Sequence, residues 1–366
     1  MAVGDRFDGK ISSFVDRESG YTIIKPIHTD MNRHLYFTAN TFTADGEKLI
    51  FSAVREGKEN FYLLDYMTGE YIQLTDQPNL SIGRAHCDRE RNLLYFSDFD
   101  SIYVVNLKTY ESRKVYEGRS EIGSLCITCD GRYLISSSKG TTVRYNNDQE
   151  KLTLNMYRMF KVDLATGEET PILYRSAPFD HIQCNPTNPD FIMYCMWGYL
   201  CTHQRIWWTN LKGTEGGPLG PEMPNEHRTH EYFTYDGKCI AYHGKFFEYD
   251  NNMNFKNIGH TWGIMNVDGT NDRYFRCRPA GMQAGHSIMS HDMKLIAADG
   301  NEFISLIELN YADGTADFRP IVRHCSTMSR NFVHPHPSFS NDDRYIVYAT
   351  DSGGSDRGNI YLVDLK

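Results

Sequence analysis

Short runs of apolar and β-branched residues recur along the chain, each bounded by polar turn residues. Positions 48–54, 60–65, 92–96, 133–137, 191–196, 303–309 and 345–350 are such runs. Runs of this length, rich in Val, Ile, Tyr and Phe and closed by Asp-Gly or Thr-Gly, predict strands joined by tight turns. The runs also fall into a repeating order. A short strand leads into a polar turn such as Thr43-Ala44-Asp45-Gly46. A β-rich strand follows, and then a strand ending in Asp or Asn and a turn.

Seven copies of this unit can be laid along the chain. The first covers 41–46, 48–54 and 60–65, with Thr68-Gly69 as its last turn. The second is degenerate and covers 84–87, 92–96 and 101–107. The third covers 124–127, 133–137 and 157–164, the fourth 181–184, 191–196 and 205–210. The fifth covers 230–233, 239–243 and 261–267, the sixth 286–289, 295–298 and 303–309. The seventh covers 336–339, 345–350 and 359–365. A unit of roughly 40–57 residues, seven times over and each with several strands, predicts an all-β fold, a seven-bladed β-propeller. Two sandwich domains are the rival, but they do not call for one repeated turn motif. The seventh copy lacks a last strand. Residues of about 20–27, including Tyr21-Thr22-Ile23-Ile24, are a spare strand, expected to complete that blade and close the ring. No linker breaks the chain, so residues 1–366 are expected to be a single domain. Stretches 146–151 and 213–225 read as surface insertions.

Composition narrows the class. The chain has 366 residues, with 38 Lys+Arg against 47 Asp+Glu, a formal net charge of −9. That balance argues against nucleic acid or an anionic membrane as the main partner. Met1 to Gly20 lacks the apolar core of a secretory signal, and no apolar run approaches a membrane span. Nine cysteines, odd in number and scattered, do not make a disulfide framework. Cys126-Ile127-Thr128-Cys129 is a lone CxxC, read as buried thiols. A reducing cytoplasm is expected.

The chemistry gathers at one repeat position. Six residues before the Asp of the turn, or its equivalent, the seven copies hold Ala39, Arg84, Ser124, His181, His230, His286 and His336, with one gap allowed in the fourth. The first strand of a propeller blade lines the central channel, so equivalent positions form a ring. Four successive histidines there, joined by His334, become a cluster of imidazoles. Neutral imidazole is the commonest metal ligand and the natural base near neutral pH. His334 and His336 are two apart, so an extended strand points both rings to one face. The bland alternative, that a histidine at a blade start only packs or bonds against the neighbouring blade, suits His181 alone better than the set.

Three segments carry a resemblance. Thr229-His230-Glu231-Tyr232-Phe233-Thr234-Tyr235-Asp236-Gly237 resembles a T-H-E-F-W-x-x-D-G segment, Gly285-His286-Ser287-Ile288-Met289-Ser290 resembles S-H-L-M-S, and Val333-His334-Pro335-His336-Pro337-Ser338-Phe339 matches H-P-H-P-S-F. In that order they are the segments of the oligogalacturonate lyases of polysaccharide lyase family 22. The resemblance runs over nearly the whole chain and implies a propeller holding manganese in its central cavity. It implies ligands at His286, His334 and His336, with Asn331 where the family has Gln. Asn keeps the amide oxygen but is one methylene shorter. The resemblance also places the catalytic base on His230 and a substrate-contacting arginine on Arg205, which precedes Ile206-Trp207-Trp208; His181 joins it as an expected substrate contact.

These residue types suit the implied reaction. Cleaving a 4-linked uronate by β-elimination removes the proton on C5, beside a carboxylate. A divalent cation and an arginine on that carboxylate stabilise the charge that develops, and an imidazole off the cation accepts the proton. Imidazole with oxygen ligands suits manganese, though such sites also take other divalent metals. The expected substrate is a short, acidic oligosaccharide such as digalacturonate or unsaturated digalacturonate from pectin. The rival readings are a non-catalytic binding or interaction propeller and a related lyase acting on a different uronate. No GxSxG elbow, Walker A or GxGxxG motif points elsewhere.

Overall fold

The computed structural model describes residues 2–28, 31–146, 151–196, 204–251, 254–328, 334–351 and 358–366. Among these residues there is no helix, and every regular element is a strand. Asn331 lies outside the described residues, as do most of 353–358.

The strands form antiparallel meanders in chain order. Leu80–Asp88, Leu93–Asp98, Ser101–Asn106 and Ser112–Glu117 make one four-stranded sheet. Ile122–Ile127, Tyr133–Asn146, Lys151–Asp163 and Glu169–Arg175 make the next, and Phe179–Cys184, Ile192–Met196, Ile206–Thr209 and Gly216–Pro218 another. The fifth and sixth copies join edge to edge as one eight-stranded sheet, where Arg273–Arg278 runs parallel to Thr315–Arg323. Part of each expected insertion is therefore strand. Gly216–Pro218 completes the fourth unit by pairing with Ile206–Thr209, and Tyr133–Asn146 stays paired with Lys151–Asp163 out to Asn146 opposite Lys151.

The spare N-terminal strand lands where the seventh copy lacks one. Thr22–Lys25 pairs with Asn359–Asp364, Ile23 opposite Val363. Ser12–Val15 extends the same sheet, and Arg6–Asp8 adds to Glu70–Gln73 of the first. Contacts between units run in sequence order. The first strands of the second, third, fourth and fifth units touch in turn, those of the sixth and seventh touch, and Asn32–His34 of the first meets strands of the seventh.

The middle strands explain the continuous apolar runs. Leu49 to Ala53 of Lys48–Arg55 are all buried. Leu49 and Phe51 pack with Val347 and Leu362 of the seventh unit, while Ile50, on the opposite face, packs with Leu94 and Phe96 of the second. A sheet covered on both faces shows no polar alternation. The turns repeat their chemistry as well as their sequence: Thr43 donates to Asp45, Thr128 to Asp130, Thr234 to Asp236, Ser290 to Asp292 and Ser340 to Asp342, each at 2.6–2.7 Å. The Asp then accepts a backbone N–H two residues on, which fixes the turn.

Candidate metal and catalytic centre

The first strands are not regular where the histidines sit. Pairing of Phe179–Cys184 with Ile192–Met196 shifts between Asp180 and Gln183, and that of Glu226–Phe233 with Cys239–Tyr249 shifts between Thr229 and Tyr232. Each shift is a β-bulge that leaves a histidine out of register. His181, His230 and His336 all adopt left-handed backbone, with φ of 47°, 54° and 47°. In the sixth unit the left-handed residue is Gly285, one before His286. Left-handed backbone is uncommon outside glycine, and here it turns successive rings inward.

The rings meet in an arc. His181 lies 6.4 Å from His230 between ring centroids, His230 4.0 Å from His286, and His286 4.2 Å from His336 and 5.3 Å from His334. The potential ligand nitrogens of His286, His334 and His336 all lie within 4.8 Å of one another. Tyr36 and Phe37 form an aromatic floor beneath them: Tyr36 packs edge-on against His336 and His286, and Phe37 against His286 and His230.

Asp299 organises the cluster. It is fully buried. Its Oδ1 accepts the His286 backbone N–H at 2.7 Å, its Oδ2 lies 2.9 Å from His286 Nδ1, and Oδ2 accepts the His336 backbone N–H at 3.1 Å. Burial opposes ionisation, but His286 and these backbone donors hold the carboxyl below its ordinary range. A carboxylate on Nδ1 fixes the proton there and leaves Nε2 with its lone pair, the usual support for a metal-binding imidazole. Burial, then His286, pushes His334 and His336 below the ordinary histidine value, so both rings are neutral. The residues present thus fit a divalent cation.

His230 stands off this triad. Its Nδ1 is 2.8 Å from the Gly285 carbonyl, which fixes that nitrogen as the donor and leaves Nε2 free. Burial, followed by His286, His243 and His181, depresses its pKa well below the ordinary value. The ring is a neutral imidazole with one open lone pair.

Arg205 is no surface residue on an edge strand. Its side chain is 14% exposed, and Nε donates to Glu231 Oε2 at 2.9 Å. Its backbone N–H donates to Glu222 Oε1 at 2.7 Å. Its Nη1 and Nη2 make no hydrogen bond among the described residues. Glu231 is fully buried between Arg205 and His181, whose Nδ1 is 3.4 Å from its other oxygen. Against the opposing effect of burial, Arg205 and His181 hold the Glu231 carboxyl far below its usual value. His181 Nε2 reaches the Tyr36 hydroxyl at 3.2 Å. The structure thus brings six of the seven predicted site residues to one centre.

Sequence reasoning missed Glu231, Asp299, Tyr36 and Phe37. Glu231 had a signal, since it follows His230 directly. Asp299 had none: in Ala298-Asp299-Gly300 it looks like another turn aspartate.

Strand architecture and an imidazole-rich centre define an all-β protein whose residues fit a divalent cation beside a further, neutral imidazole. The family model for oligogalacturonate lyases matches residues 1–257, and the chain belongs to that family. It is 24% identical over 388 residues to an oligogalacturonide lyase of Pectobacterium atrosepticum, covering 97% of this chain and 96% of the relative. It is 23% identical over 390 residues to an oligogalacturonate lyase of Dickeya dadantii, with the same coverage. Among solved structures, an oligogalacturonate lyase in complex with manganese superimposes with a TM-score of 0.84 over 100% of this chain and 99% of that one, at 24% identity.

Proposed function

We propose that residues 1–366 form one seven-bladed β-propeller, and that its histidine centre makes the protein a manganese-dependent lyase of short oligogalacturonides. Seven antiparallel units touching in chain order support the propeller, and the Thr22–Lys25 strand on the last unit supports closure by the N-terminus. The observation that carries the activity is the triad of His286, His334 and His336, the first and last held by Asp299, with the neutral His230 ring 4.0 Å from His286.

His286, His334 and His336 hold the cation, with Asn331 of the same segment as a further oxygen donor. When bound, the cation draws charge from the uronate carboxylate and so acidifies the neighbouring C5–H. His230 takes the C5 proton on Nε2 while the Gly285 carbonyl steadies its Nδ1–H. Arg205 turns its Nη groups to the same carboxylate, its orientation held by Glu231; His181 braces Glu231 from the other side and contacts the sugar. The C5–H and C4–O bonds break and C4=C5 forms. One product is an unsaturated uronate, and the leaving oxygen takes a proton from water. Tyr36 and Phe37 close the centre from below and limit water around the base.

The substrate is a small acidic oligosaccharide from pectin. Eight free cysteines among the described residues support a reducing, cytoplasmic setting. Asn331, where the family has Gln, supports a second reading, a sister lyase for a different uronate.

Ultraviolet absorbance of an unsaturated uronate, on mixing with digalacturonate, tests the proposal. We expect absorbance that a chelator abolishes and added manganese restores. A protein that binds manganese tightly yet leaves digalacturonate intact points to the other uronate. A protein that does neither is not a lyase.

A further inference from the structure

Beyond the histidine arc, the same wall carries a second cationic group that the reaction does not use. The hairpin of Cys239–Tyr249 and Phe255–Asn266 runs past its neighbours. On it Lys245 stands directly opposite His227 on one side and His260 on the other. Residues paired in this way share a face, with Cβ atoms about 5 Å apart. Two positions back, His243 is on the same face, opposite Trp262. Trp262 packs with Ile288 and Ala297 of the sixth unit, so this face looks towards the unit that carries His286. His243 bridges the two groups: its ring is 6.2 Å from His230, and its Nε2 is 3.1 Å from His260 Nδ1. A continuous row therefore leads from His286 through His230 and His243 to His260 and Lys245.

Lys245 is partly buried and makes no hydrogen bond or ion pair among the described residues. Burial alone lowers its pKa, with no carboxylate opposing it. It in turn depresses His243 and His260, after burial. A partly desolvated ammonium among imidazoles is uncompensated until an anion arrives. An oligogalacturonide brings one carboxylate per sugar, so the carboxylate at the triad leaves at least one more to be neutralised. Arg205 already faces Glu231.

We infer that Lys245, with His227 and His260, forms an anion subsite for the carboxylate of the uronate next to the one undergoing elimination. This rests on the lyase reading. The subsite makes a diacid the preferred minimal substrate and binds through charge, so its contribution weakens with salt.

The test is Lys245→Met against wild type, on digalacturonate and on its monomethyl ester blocked at the uronate that is not eliminated. We expect Lys245→Met to raise KM roughly ten- to a hundredfold, as for loss of a charged hydrogen bond, with kcat within about twofold. Lys245→Arg restores most of it. Wild type loses a similar factor on the ester, and Lys245→Met loses nothing further. An unchanged KM, or an equal loss on diacid and ester, overturns the subsite. Calorimetric binding of digalacturonate in a His230→Ala background separates the two readings. Weaker binding on adding Lys245→Met, in a protein whose wild type never turns digalacturonate over, keeps the anion site and rejects the lyase. Normal wild-type turnover with unaltered binding rejects the anion site and keeps the lyase.

Discussion

Asp299 shows how much one buried carboxylate decides at the scale of a residue. It holds the ring of one candidate ligand and the backbone of two. Asp299→Asn keeps the shape but loses the charge that sets the His286 tautomer. Manganese affinity should fall about ten- to a hundredfold, the usual cost of losing such a partner, as read by metal titration. His230→Ala should cut turnover by about 10²–10⁴-fold, the scale of general-base catalysis, with manganese stoichiometry unchanged. Loss of metal in that variant would reject His230 as a base that stands off the cation. Glu222 is a separate matter, of stability. Burial pushes its carboxyl up to about 7 from 4.5, against the Arg205 N–H that it accepts. Between those values the folded protein keeps a proton that the unfolded chain has released, so stability falls as pH rises through the window. Glu222→Gln should match wild type near pH 5 and exceed it at pH 8 by on the order of 2 kcal/mol, measured by denaturant midpoints.

At the scale of the element, the bulged first strand is the device that makes a site from a repeat. A regular strand would alternate its side chains between the two covered faces and bury the histidines in the core. The bulges at His181 and His230, with left-handed backbone there and at His336, turn rings out of that alternation. Gly285 does the same for His286, with no room for a side chain: a Cβ there would collide with Asp299 Oδ1 and lie 3.1 Å from the Gly300 nitrogen. Its φ of 53° is also unfavourable for other residues. Gly285→Ala should therefore displace Asp299 and lower manganese affinity and turnover together, while His230→Ala lowers turnover alone. Comparing metal titration with absorbance assays on the two variants checks this split. The repeat position was legible because it recurs; the bulge was not, because no residue type announces it.

At the scale of the whole molecule, the N-terminus carries weight out of proportion to its length. Ile23 and Ile27 are fully buried, and Thr22–Lys25 covers the edge of Asn359–Asp364. Removing residues 1–27 should expose that edge, lower the melting temperature by several degrees and promote association. Thermal melts and size-exclusion chromatography measure both effects. Retention of the wild-type melting temperature would reject closure by this strand.

Strand runs, turn chemistry, the seven-fold repeat and the alignment of His181, His230, His286 and His336 were determined by sequence alone, because each depends on local periodicity. The reach of the Tyr133–Asn146 and Lys151–Asp163 pairing and the strand Gly216–Pro218 were not, because pairing rather than composition made them strand. Only the tertiary structure decided that Asp299 anchors His286, that Glu231 holds Arg205, that Tyr36 and Phe37 floor the centre, and that Lys245 stands uncompensated in line with His230. Those partners are from about a dozen to hundreds of residues apart in the chain. What unites them is that burial next to a particular neighbour sets their charge and orientation, and burial exists only once the units have packed.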